Sequence, residues 1–237
     1  MKIALLGYGK MGHEIEKVAI SKGHTIVLKV SSKNAEFDIS ELQLAEVAIE
    51  FSKPEFALSN IKKCFEANVP VIVGTTGWYD SLEEVKAICT RKKQSLVYAT
   101  NFSIGVNLFF KLNQELAKLM NDHKEYKVEA EEIHHTQKLD APSGTAITLA
   151  EQIIAKIDNK KSWVNKESDQ QEELSITSKR IDKVPGTHSI FYKSTTDEIE
   201  IKHTAHNRSG FAGGAVLAAE WIVNHKSGIY TMKDVLS

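Results

Sequence analysis

The sequence predicts an α/β fold in two parts, an N-terminal Rossmann-type dinucleotide-binding domain and an α+β domain on an open mixed sheet. Three observations carry this. The apolar run Ile3 to Leu6 leads into Gly7-Tyr8-Gly9-Lys10-Met11-Gly12, and Ile15, Val18 and Ala19 follow at helical spacing. Short apolar runs and helical patterns then alternate up to about residue 104. Beyond that point strands alternate apolar and polar residues, as in a sheet with one solvated face.

In the opening turn, Gly7 permits the tight bend and Gly9 lets backbone approach a pyrophosphate. Gly12 lets helix and strand pack closely, and the helix dipole favours phosphate. Tyr8, Lys10 and Met11 complete this stretch of the expected cofactor site. A second strand, Thr25 to Val30, ends at Ser31-Ser32-Lys33, where an NAD-specific site would carry an acidic residue. Two hydroxyls and a lysine suit a 2′-phosphate, so the site leans to NADPH over NADH; Lys33 equally fits a solvated loop. Val47 to Ile49 forms a strand, and Pro54 starts a helix at its first turn. Val69 to Val73 forms another, and Gly74-Thr75-Thr76-Gly77 at its carboxyl end lies where open α/β sheets bind ligands. A helix over 81–92 and a strand from Ser95 to Ala99 complete the set.

The formal charge of −1 across 237 residues gives no basic field for nucleic acid, and no apolar run reaches the roughly 18 residues of a membrane helix. Met1-Lys2 leads directly into the first strand without a secretory pattern, so a cytoplasmic protein is expected. Cys64 and Cys89 have no metal or redox spacing and read as reduced packing thiols.

In the second part, Val106, Phe109, Phe110, Leu112, Leu116, Leu119 and Met120 give residues 105–121 the pattern of an amphipathic helix. Tyr126, Val128 and Ala130 alternate with charged residues in a strand that delivers His134 and His135. Pro142 and Ser143 start a helix ending near Lys156, and 158–171 reads as polar and irregular. Strands follow at Glu173–Lys179, Thr187–Lys193 and Glu198–Thr204; Gly213-Gly214 then opens an apolar helix that returns to the first domain.

The loop between that strand and helix concentrates the chemistry. The first-turn amides of the helix suit a carboxylate, Gly144 lets it come close and Thr145 adds a hydroxyl. Lys138, His134 and His135 supply charge and protons. Asp140 reads as a helix-start or loop-bracing group, and Gln137 cannot donate a catalytic proton. Arg208 is equally suited to a substrate carboxylate or to bracing a turn. A metal at His134, His135, His188, His203 and His206 fits no familiar zinc spacing, so no metal is expected.

His134-His135-Thr136-Gln137-Lys138-Leu139-Asp140-Ala141-Pro142-Ser143-Gly144-Thr145-Ala146 closely resembles the signature of the 4-hydroxy-tetrahydrodipicolinate (dihydrodipicolinate) reductase family. Similarity extends more thinly over the whole chain, through Phe51-Ser52-Lys53-Pro54, Gly74-Thr75-Thr76-Gly77 and Ala99-Thr100-Asn101-Phe102-Ser103. The resemblance implies NAD(P)H-dependent reduction of a cyclic dicarboxylate in lysine and diaminopimelate biosynthesis, with His134 and Lys138 catalytic. It implies His135, Ser143, Gly144, Thr145 and Arg208 as substrate ligands. Ser52, Lys53, Gly74, Thr75, Thr76, Ala99, Thr100, Asn101 and Phe102 are implied at the cofactor, although on residue type Lys53 suits a surface charge and Phe102 a core aromatic. It further implies residues 1–104 and 207–237 as dinucleotide domain, and 105–206 as a substrate and oligomerisation domain whose sheet assembles a homotetramer. The 158–171 stretch is trimmed relative to typical members.

Overall fold

The computed structural model describes residues 1–32 and 36–237, which form two compact units, Met1–Asn107 with Arg208–Ser237, and Leu108–Asn207. Lys33 lies outside the described residues. In chain order the elements are β1 (Lys2–Leu6), α1 (Lys10–Ser21), β2 (Thr25–Val30), α2 (Ile39–Leu42), β3 (Val47–Glu50), α3 (Pro54–Ala67), β4 (Val71–Val73), α4 (Leu82–Arg91), β5 (Ser95–Tyr98) and α5 (Ile104–Met120). They continue with β6 (Lys127–His134), α6 (Gly144–Ile154), β7 (Ser162–Val164), β8 (Glu173–Arg180), β9 (Gly186–Lys193), β10 (Glu198–Ala205), α7 (Ser209–Ile222), β11 (Gly228–Tyr230) and α8 (Met232–Val235).

The sheet of the first unit runs β11-β5-β4-β3-β1-β2 with every pair parallel. The chain leaves β1 for β2 on one side and then places β3 on the other, so the order reverses beside β1. In open α/β sheets that reversal leaves a crevice beyond the carboxyl ends of the two flanking strands. Alternate strand residues face opposite layers. Ile3, Leu5, Ile49 and Ile72 pack with Ile15, Ala19, Val216 and Ile222, whereas Leu6, Val71, Val73 and Leu96 pack with Ile61, Phe65 and Val85. Burial on both faces is why these strands read as unbroken apolar runs. Cys64 and Cys89 are free and buried in the second layer, which pushes both thiols up.

Gly213 and Gly214 do not open α7, which begins four residues before Gly213, at Ser209. Gly214 is internal because a Cβ there would lie 1.7 Å from the Phe102 carbonyl oxygen. Close approach of backbone, not helix breaking, explains that glycine. Gly214→Ala is therefore expected to cost about 1–3 kcal/mol through forced displacement, despite alanine's better helix propensity. Urea unfolding tests it, and a neutral or stabilising result contradicts the packing argument.

The second unit holds a mixed sheet ordered β10-β9-β6-β8-β7, in which β6–β8 and β7–β8 are parallel and β6–β9 and β9–β10 antiparallel. Val128, Ala130, Leu174, Ile176 and Ile190 on one face pack with Leu149, Ala150 and Ile153 of α6. The other face is polar and carries the Lys127–Glu129, Lys179–Glu131 and Lys193–Glu129 ion pairs.

Two further expectations need correction. The buried stripe of α5 is Val106, Phe109, Asn113, Ala117 and Met120, while Leu112 and Leu119 are exposed. Asn113 occupies a core position because its amide donates to Leu149 O and Gln152 Oε1, each at 3.1 Å. The 158–171 stretch is not wholly irregular, since β7 pairs with β8 through Trp163↔Leu174. Three residues are too few to display a period.

Candidate active site

In the first unit the glycine turn is shaped as the sequence implies. Gly7 has φ +105°, and its N–H donates to Val30 O at 2.9 Å. A Cβ on Gly12 would meet Gly7 O at 2.4 Å, whereas the space above Gly9 is open. Gly9 caps α1 with no side-chain hydrogen bond, and the first turn has no acidic residue. Its amides therefore remain available to phosphate oxygens. These residues fit a dinucleotide.

Tyr8 is committed elsewhere: its hydroxyl donates to Glu16, Lys29 Nζ lies 4.9 Å from the ring centre, and His13 packs at 4.1 Å. Its backbone remains for a ligand. Beyond β3 and β4, a pocket of about 230 Å³ has Met11, Ser52, Gly74, Thr75 and Thr76 among its walls. Lys10 and Ser32 are exposed and Ser31 half-buried. Lys53 caps α3 and lies outward, 3.7 Å from Glu55.

The turn after β5 is less accessible than expected. Phe102 is buried at 2% exposure, its ring in the core with Ala212, Ala215 and Val216 and its carbonyl oxygen against Gly214. Asn101 Oδ1 accepts from Ser103 N at 2.8 Å, bracing the start of α5. Ala99 donates its N–H to Val73 O at 3.3 Å, and Thr100 is exposed. Arg208 belongs to this unit, exposed at the start of α7.

In the second unit, β6 ends in a buried polar cluster. The phase that buries Val128 and Ala130 continues through Glu132 and His134. Across the sheet, Glu132 opposes His188 on β9, and His134 opposes Arg180 on β8. The Glu132 carboxylate accepts from Arg180 Nη2 at 3.0 Å and lies 2.7 Å from His134 Nδ1, off the line of a well-formed hydrogen bond. Burial would raise the Glu132 pKa. Contacts from His134, Ser143, Ser178 and Arg180 outweigh it and hold the carboxyl far below its ordinary value.

The His134 and His188 rings meet edge to face at 5.1 Å, and Gly186 leaves room, since a Cβ there would be 3.0 Å from His134 Nε2. Ser143 Oγ lies 3.0 Å from His188 Nε2 and accepts from Ala146 N at 3.2 Å as the cap of α6. Ser143 is thus buried and structurally engaged, while Gly144 has open space above it and Thr145 is half-buried.

Lys138 returns toward the strand because its N–H donates to His135 O at 3.1 Å. Its Nζ donates to both Asp140 oxygens at 2.8 and 2.9 Å, and this pair lowers the Asp140 pKa. Asp140 is therefore the lysine's partner; the helix cap is Ser143. His135 is half-buried, with Nδ1 inward and without a protein hydrogen-bond partner.

Among the described residues, Glu132, His134 and His188 are close enough to share a cation, with donor atoms within 4.8 Å. Arg180 already neutralises that carboxylate and would repel a metal. His203 opposes His188 in register but packs beside Phe109, and neither it nor His206 joins the group.

His188 is buried, and desolvation with the nearby His134 charge pulls its pKa down to about 3. The fold thus binds neutral imidazole, whereas an unfolded chain protonates it below about 6.5. Its contribution is complete above that pH and falls as pH drops toward 3. Stability should decrease by about 1 kcal/mol from this group between pH 7 and 5.5, and His188→Gln should flatten that slope in urea titrations. An unchanged slope contradicts burial of the neutral ring.

A parallel sheet with an open glycine turn, together with a unit carrying a histidine–carboxylate cluster beside a paired lysine, defines a nicotinamide-dependent oxidoreductase. Residues 1–102 match the family described as dihydrodipicolinate reductase, N-terminus, and 105–236 match dihydrodipicolinate reductase, C-terminus. The chain is 50% identical over 237 residues to the 4-hydroxy-tetrahydrodipicolinate reductase of Christiangramia forsetii, covering all of this chain and 98% of the relative. The enzyme of the same name from Thermosipho africanus is 35% identical over the same share of each chain. The dipicolinate-bound dihydrodipicolinate reductase of Paenisporosarcina has the same fold, with a TM-score of 0.78 at 22% identity over 98% of this chain and 97% of that one. The chain belongs to the dihydrodipicolinate reductase family.

Proposed function

We propose that this protein reduces 4-hydroxy-tetrahydrodipicolinate to tetrahydrodipicolinate with loss of water, in lysine and diaminopimelate biosynthesis. The observation that carries this reading is Lys138, fixed by Asp140 beside the Glu132–His134 pair and the open start of α6. When bound, the reduced nicotinamide supplies the hydride. Addition of hydride to one ring carbon leaves an electron pair on the conjugated system, which requires a proton.

Lys138 is placed to give that proton, because Asp140 holds its Nζ in position on the loop that follows His134. His134, oriented by Glu132, exchanges protons with the lysine side of the loop. One substrate carboxylate takes the amides of Gly144 and Thr145 and the Thr145 hydroxyl; His135, whose inward nitrogen lacks a protein partner, serves the other. Ser143 acts by holding that helix start in shape. The glycine turn, Ser52, Lys53, the Gly74–Thr76 turn and the backbone of residues 99–102 hold the cofactor.

Ser31, Ser32 and Lys33 in place of an acidic residue favour NADPH over NADH. The protein works in the cytoplasm, and the polar face of the second unit's sheet assembles four copies. To test the reaction, pyruvate and aspartate semialdehyde are passed through a dihydrodipicolinate synthase and nicotinamide absorbance is followed. Synthase-dependent loss, faster with NADPH, is expected; no loss with either cofactor overturns the assignment.

A further inference from the structure

Glu50, the last residue of β3, is fully buried, although sequence patterning offers no reason for a carboxylate there. Its Oε1 accepts from the Ser52 backbone N–H at 3.2 Å, from Asn60 Nδ2 at 3.2 Å and from the Ser52 hydroxyl. Thr75 Oγ1 accepts from the same Ser52 N–H at 2.8 Å, and the Thr75 hydroxyl also leans on Glu50. One carboxyl thus ties together the turns after β3 and β4, and those turns form walls of the pocket beside the glycine turn.

The direction of these hydrogen bonds has a chemical consequence. A backbone N–H can only donate, and three donors converging on Oε1 suit an ionised carboxylate, whose oxygens only accept; burial pushes the Glu50 pKa up and these contacts oppose it. The Ser52 hydroxyl proton therefore points inward, since Oε1 is a far closer acceptor than Lys53 O at 3.4 Å. Among the described residues, only a long contact from Asn60 at 3.4 Å draws on a Ser52 lone pair. Ser52 is half-exposed, so toward the pocket it presents an acceptor and no proton.

We propose that Glu50 is a positioning residue that turns Ser52 into an obligate hydrogen-bond acceptor for a neutral donor on the nicotinamide half of the dinucleotide. Such a donor is the carboxamide NH2 or a ribose hydroxyl; a phosphate, which has only acceptors facing a protein, is disfavoured at that atom. The inference rests on the reading that this edge of the sheet holds the dinucleotide with its nicotinamide half beside the turns after β3 and β4.

Dissociation constants measured by fluorescence titration test it without turnover. NADH is compared with the 3-acetylpyridine analogue, which replaces the carboxamide NH2 by methyl, and with an analogue lacking a nicotinamide-ribose hydroxyl. The wild-type protein should bind one of the two about tenfold more weakly than NADH, and which one identifies the donor. Ser52→Ala should abolish that discrimination. Glu50→Gln, which keeps an acceptor oxygen facing the Ser52 N–H, should retain it, and Glu50→Leu, which frees the hydroxyl proton, should lose it. Equal binding of all three dinucleotides by the wild type, or discrimination that survives Ser52→Ala, overturns the proposal. Failure of the wild type to bind NADH at all would instead overturn the cofactor reading beneath it.

Discussion

Lys138→Ala is expected to lower turnover about a thousandfold while leaving the dissociation constant of the reduced cofactor within about twofold, as removal of a general acid should. The lysine is in the second unit, on the loop between β6 and α6, and the glycine turn that fits the phosphates is in the first. Lys138→Arg keeps the charge but donates from a guanidinium whose pKa is too high for easy transfer, so it should rescue substrate affinity without restoring turnover. A variant that loses cofactor affinity but keeps its rate would remove Lys138 from the chemistry. Stopped-flow single turnovers with fluorescence titration separate these outcomes.

The largest expected loss of stability is at Glu132. Replacement by alanine strands Arg180, only 21% exposed in its side chain, beside His134 in a water-poor setting. Removal of one partner from a buried ion pair costs about 3–5 kcal/mol, and partial solvation of Arg180 places this site near the lower bound. Glu132→Gln keeps the shape and one acceptor, so it should unfold at higher urea than Glu132→Ala while still shifting the pH–rate profile through His134. Equal midpoints for the two would show that the carboxylate acts by volume alone. Because the Glu132 pKa is depressed in the fold, its stabilisation is present above the ordinary carboxylate range and is lost as pH falls below it.

Much of the first unit was legible because strands buried on both faces leave apolar runs, and Gly7 and Gly12 occupy positions where backbone approach forbids a side chain. The hairpin of β9 and β10 was legible through alternation. β11, β7, α2 and α8 were not, since three or four residues cannot show a period. Leu112 and Leu119 misled because hydrophobicity was taken for burial, and Asn113 held the inward position instead.

At the site, the loop residues stood out by their chemistry, but their support did not. Glu132 carried a usable signal: it continues the inward phase of Val128 and Ala130, where a charge must be paired. Arg180 gave no such sign, because the pairing of β6 with β8 exists only in three dimensions. Phe102 shows the converse limit. The similar motif placed it at the cofactor, and packing against Ala212 and Val216 placed its ring in the core.

Transfer of deuterium from C4-labelled reduced nicotinamide is the most direct measurement of the chemistry. With substrate generated in situ and the product examined by mass spectrometry, one stereospecific label should yield tetrahydrodipicolinate heavier by about one mass unit. Product that remains unlabelled with either stereoisomer of the cofactor would contradict hydride transfer to the diacid ring.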